Sequence, residues 1–118
     1  MMPEQPKFRY GMRLIIISED KFFGSGICSL LELVAETGSL TKACRQMGMA
    51  YSKAWRIIKR AEESLGETLI LGVSGGKGGG SSVLSPVARE WIGRYRAFES
   101  DTQKAAGALF EQHFKSLL

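Results

Sequence analysis

The chain has 118 residues, 44% of them hydrophobic and 24% charged, with a formal net charge of +4. That length gives one compact domain, and the hydrophobic content excludes wholesale disorder. The longest apolar run, Leu14 to Ile17, is far too short to cross a bilayer. Residues 1–7 read as a flexible segment with no signal-peptide core. A cytoplasmic protein without a membrane partner is therefore expected. Cys28 and Cys44 fall in apolar stretches and read as small core residues. With His113 the one histidine, no cluster has metal-ligand spacing, so no metal or other cofactor is expected. Neither paired carboxylates nor a Ser/His/Asp set is present, which argues against an enzyme.

Phe8, Tyr10, Met12, Leu14 and Ile16 alternate with Arg9, Gly11 and Arg13, which predicts a strand over 8–17. Residues 18–21 are turn-like, and Phe22-Phe23 fit a short return strand. After Gly24-Ser25-Gly26, the spacing of Ile27, Leu30, Leu31 and Val34 predicts a helix that Gly38 ends. Ser39 is a good N-cap for a second helix, whose apolar face holds Leu40, Ala43, Cys44 and Met47 and which Gly48 stops. A third helix runs from about Ala50 to Leu65, with Ala54, Ile58, Ala61 and Leu65 as its buried stripe and Ile57 at the margin. Residues 67–73 form a strand candidate, 74–81 a glycine-rich loop, and 82–84 a second strand. Three helices followed by a hairpin are the layout of a winged helix-turn-helix.

Ser85-Pro86 opens the last helix as N-cap and N1. Ala88, Trp91, Tyr95, Phe98, Thr102, Ala105 and Leu109 then recur at alternating three- and four-residue steps, a heptad-like seam widened by Ile92, Ala106 and Phe110. Gly93 and Gly107 each cost about 1 kcal/mol in a helix interior, so this helix needs a partner surface. Trp91, Tyr95, Phe98 and Leu109 are the candidate dimer contacts. Packing of the first three on the chain's own core is the alternative.

From Thr37 through Ala61 there is no Asp or Glu, although acidic residues number 12 in the chain. The same stretch carries Lys42, Arg45, Lys53, Arg56, Lys59 and Arg60. A positive face of this kind displaces counterions from nucleic-acid phosphates. With the Ala54 stripe inward, helical spacing puts Ser52, Arg56, Lys59 and Glu63 on the opposite side, with Lys53 and Trp55 on the flanks. The start of the second helix of such a motif enters the major groove of double-stranded DNA. Tyr51, Ser52, Lys53, Trp55 and Arg56 are accordingly the candidates for base edges. Lys42, Arg45, Lys59 and Arg60 suit phosphates. A solvated basic face is the plain alternative, and Tyr51 and Trp55 fit core packing equally well.

The glycine run 75–80 fails as a nucleotide loop, because Lys77 is followed by glycine and a strand rather than by Ser or Thr and a helix. It fits a hairpin tip with Lys77 touching the DNA backbone.

Glu36-Thr37-Gly38-Ser39-Leu40-Thr41-Lys42-Ala43-Cys44 and Gly48-Met49-Ala50-Tyr51-Ser52-Lys53-Ala54-Trp55 resemble the N-terminal domain of ModE-type molybdate-responsive transcriptional regulators. The wing Gly75-Gly76-Lys77-Gly78-Gly79-Gly80, followed by Val83-Leu84-Ser85, is similar to theirs. The helix-turn-helix resembles, more distantly, that of LysR-type regulators. The resemblance spans about residues 8–110. It implies a homodimer joined by the long last helix, and operator binding through residues 51–56 and the wing, often near genes for molybdate transport or molybdoenzymes. Full-length members carry a C-terminal molybdate-binding portion with no counterpart here, so a separate effector-sensing partner enters as an expectation. In sum the sequence predicts a mainly α fold with small β hairpins, divided into a winged helix-turn-helix over 8–85 and a dimerisation helix over 86–118. The expected function is sequence-specific DNA-binding transcriptional regulation. The alternative is a winged-helix protein-interaction module that does not bind DNA.

Overall fold

The computed structural model describes residues 7–72 and 81–118. The chain order is β1 (Ile16–Ile17), β2 (Lys21–Phe23), α1 (Ser25–Thr37), α2 (Leu40–Met47), α3 (Tyr51–Leu65), β3 (Ile70–Leu71), β4 (Val83–Leu84) and α4 (Pro86–Phe114), then a short 3-10 turn at Lys115–Leu117. Two antiparallel strand pairs flank the helices: β1 with β2, and β3 with β4 in the register Ile70 to Leu84 and Leu71 to Val83. This is the predicted winged helix-turn-helix with a long final helix. The wing's tip, with Lys77, lies outside the described residues.

The helix boundaries follow local chemistry. Ser39 caps α2, its hydroxyl accepting from the Lys42 amide at 3.2 Å, and Ser85 caps α4 by accepting from Ala88 at 3.1 Å. Gly48 ends α2 at φ 64°, a left-handed conformation that costs an L-residue about 1–2 kcal/mol. That glycine lets α3 start three residues later, at an angle to α2. The core gathers one face of each helix: Leu30, Leu31 and Val34 from α1, Leu40 and Ala43 from α2, Ala54, Ile58 and Ala61 from α3. Leu65 and Ile57 are half-buried at the margin of that face. Both cysteines are buried and unbridged, and burial pushes the Cys28 thiol up to about 11.

The first predicted strand is shorter than its alternation implied. Only Ile16–Ile17 pairs with β2. β2 runs just three residues before α1 begins, so residues 8–15 have no strand beside them. They lie instead along α4: the Tyr10 hydroxyl donates to the Gln103 carbonyl at 3.2 Å, and its ring sits 5.1 Å from Phe110. Of the strand expected over 67–73, the described residues 67–72 pair only at Ile70–Leu71, and Val73 lies outside them.

α4 divides into two halves. Its first turns close the core: Trp91 lies within 5.5 Å of Phe22 and 5.4 Å of Phe23, and Tyr95 is only 2% exposed. Arg96 ties α4 to α1 through Glu32 at 2.7 Å and Ser29 at 3.0 Å, and reaches Glu99 at 2.9 Å. Hydrogen bonding to Glu32 raises its pKa further, so the guanidinium stays charged. Beyond Tyr95 the helix runs past the core, with Phe98 at 51% and Leu109 at 53% exposure.

Candidate nucleic-acid interface

The buried stripe of α3 fixes which side chains face outward. Ala54, Ile58 and Ala61 are fully inside, so Ser52 and Arg56 form an exposed ridge on the opposite side. Lys53 and Arg60 are exposed on one flank. Lys42 and Arg45 are exposed on α2. None of Lys42, Arg45, Lys53, Arg56 or Arg60 forms an ion pair among the described residues. Their charges are uncompensated at close range, which is the electrostatic requirement for meeting a polyanion.

Lys59 is placed differently from its basic neighbours. Its ammonium lies 3.1 Å from Glu62 and 4.4 Å from the centre of the Trp55 ring. Trp55 is half-buried against the core, and the exposed Tyr51 ring lies nearly parallel to it, 9° between planes and 6.4 Å between centres. Tyr51, Trp55 and Lys59 thus form a stacked row at four-residue spacing. Tyr51 is its open end; Trp55 serves the core and the surface together.

Glu62 was not anticipated from the sequence. Its carboxylate accepts from the Leu69 amide at 2.8 Å and the Ile70 amide at 3.5 Å, fastening the root of the wing to the end of α3. Ser82 does the same for the other wing strand: its amide donates to the Gly38 carbonyl at 2.8 Å, and its hydroxyl accepts from Leu40 at 3.3 Å. Both lock the wing to the helix-turn-helix. The only advance signal was that Glu62 is the first acid after the basic stretch. Ser82 gave none.

Residues 28–86 match the family described as bacterial regulatory helix-turn-helix protein, lysR family. That span begins inside α1 and ends at the first residue of α4, taking in both helices of the basic face and the wing. The chain belongs to this family. Among its relatives, the molybdenum transport protein ModE of Herbaspirillum seropedicae is 33% identical over 88 residues, which is 75% of this chain and 31% of the relative. The molybdenum-pterin-binding protein MopB of Rhodobacter capsulatus is 32% identical over 81 residues, 69% of this chain and 30% of that one. The DNA-binding transcriptional dual regulator ModE of Escherichia coli (strain K12) is 32% identical over 81 residues, with 69% and 31% covered. The chain thus spans less than a third of the length of the curated relatives it matches. The ModE-type likeness seen in residues 36–55 is borne out by these relatives. Among the described residues, no helix is long and apolar enough to cross a membrane.

Proposed function

We propose that this chain binds double-stranded DNA as a transcriptional regulator of molybdate transport or molybdoenzyme genes, reading sequence with the start of α3. The observation that carries this reading is the α3 ridge. Ser52 and Arg56 stand exposed on a helix whose opposite face is fully buried, beside Lys42, Arg45, Lys53 and Arg60, none of which forms an ion pair among the described residues. In that arrangement Arg56 reaches base edges, and Lys42, Arg45 and Arg60 contact phosphates. The names of the relatives, a molybdenum transport protein and a DNA-binding transcriptional regulator among them, supply the gene class.

Titration of a duplex carrying its own upstream region, across a salt series, tests the proposal. Affinity should fall steeply, with a log–log slope of about 0.9 per phosphate neutralised. No binding at low salt, or binding indifferent to salt, would sink it and leave the protein-interaction reading.

The operating form in this proposal is a homodimer. Support comes from the second half of α4, where Phe98, Leu109 and Phe114 are exposed on a helix that has left its own core behind. Tyr95, and in part Trp91, are occupied within the protomer, so Phe98 and Leu109 become the leading contacts among the four candidates. Sedimentation should give a dimer at micromolar concentration, and Leu109→Arg should shift it toward monomer. A wild-type monomer would overturn this part. Two subunits place two reading helices about one DNA turn, or a multiple, apart, so a pseudo-palindromic operator follows.

A further inference from the structure

A groove of about 560 Å³ opens between β1–β2 and the flank of α3 that carries Lys53 and Arg60. Arg13 and Lys21 line it from the strand side, Lys53 and Arg60 from α3, with Phe22 and Ile57 between them. No Asp or Glu lines it; Glu19 and Asp20 sit in the β1–β2 turn, outside the wall. All four cations are exposed, and none has an ion pair among the described residues. Such a concentration of one sign around an indentation raises the local concentration of anions.

Given the DNA-binding reading above, we infer that this groove carries the phosphate backbone of the same duplex, making Arg13 and Lys21 part of the interface. Two features select a backbone over a single small anion. First, the cations are spread out rather than convergent: Lys53 and Arg60 are seven residues apart, about 10 Å along the helix, the rise of roughly three nucleotides of one strand. Second, the groove adjoins the ridge of Ser52 and Arg56, because Lys53, on the flank that lines the groove, follows Ser52 directly on α3. The groove thus adds a contact beside the reading helix, on the flank that carries Lys53 and Arg60. Arg13 and Lys21 lie outside the matched family span of 28–86, so the family match covers only the Lys53 and Arg60 side of this groove.

The test is the salt dependence of duplex binding by the Arg13→Ala/Lys21→Ala double variant. Both side chains are exposed and have no ion pair among the described residues, so folding should be unchanged, which a thermal melt verifies. Loss of two phosphate contacts should lower the log–log salt slope by about 1.8 and weaken all duplexes alike, on the order of tenfold or more at 0.1 M salt. A charge-matched control, Lys104→Ala on the far part of α4 with Lys115→Ala in the 3-10 turn after it, should keep the wild-type slope. If the wild type binds DNA with a steep slope and the groove variant keeps it, the groove is not a contact and this inference fails alone. If the control loses as much as the groove variant, overall charge is responsible and the inference also fails. Binding of inorganic phosphate that only the groove variant loses, with the DNA slope unchanged, would assign the groove to a small anion and overturn the proposal. If the wild type shows no salt-dependent binding at all, the DNA-binding reading itself has failed.

Discussion

Tyr95→Ala is expected to destabilise the fold by about 3–5 kcal/mol, the cost of deleting a fully packed aromatic side chain. Against a total stability of roughly 5–15 kcal/mol, that removes from about a fifth to all of the margin. Tyr95 is among the largest fully buried side chains, its ring 5.4 Å from Phe23 and its hydroxyl donating to the Leu14 carbonyl at 3.0 Å. It therefore joins α4, β2 and the segment before β1 at one point. Tyr95→Phe separates the two contributions: it keeps the ring and removes only the hydrogen bond, so the loss should be about 1 kcal/mol. Urea unfolding followed by circular dichroism measures both. Equal losses for the two variants would mean that the ring contributes nothing, contrary to its packing.

The second large effect concerns discrimination rather than stability. Arg56→Ala should reduce the preference for the operator over a scrambled duplex roughly 5- to 150-fold, the equivalent of about 1–3 kcal/mol for a base-specific contact. Arg56 is exposed with no ion pair among the described residues, so its loss should leave the melting temperature unchanged. Non-specific affinity should fall only as for one lost phosphate contact. Competition between the two duplexes at fixed salt gives the ratio directly. If both duplexes weaken by the same factor, Arg56 touches the backbone and another residue reads the sequence.

Helices were legible because their signals are local. Ser39, Gly48 and Ser85 act within three or four residues of themselves, and the stripe of α3 repeats with the helical period. The strand alternation at 8–17 was equally regular, yet a strand exists only where a neighbour pairs with it, and that neighbour is three residues long. For the same reason Glu62 and Ser82 were invisible: their work is done on amides seven and forty-two residues away. The basic face was legible as a gap in acidic residues. Its subdivision was not, because Lys59 is distinguished from Arg56 only by what stands beside it. The groove required Arg13 and Lys21 to be brought to Lys53 and Arg60, and no spacing in the sequence encodes that meeting. Along α4 the seam was evenly apolar, so nothing local marked where the chain's own core ends, just past Tyr95.

The two tyrosine hydroxyls that fasten the front of the chain reach across 81 and 93 residues of sequence. During synthesis, at about 5–20 residues per second, some seconds pass between the emergence of Leu14 and that of Tyr95. The three-helix unit can condense in that interval, but its front strap has nothing to close on until the final helix leaves the ribosome. Closure of the front segment therefore waits for α4. The segment that brings Arg13 alongside α3 is made first and docks only when its partner helix is complete.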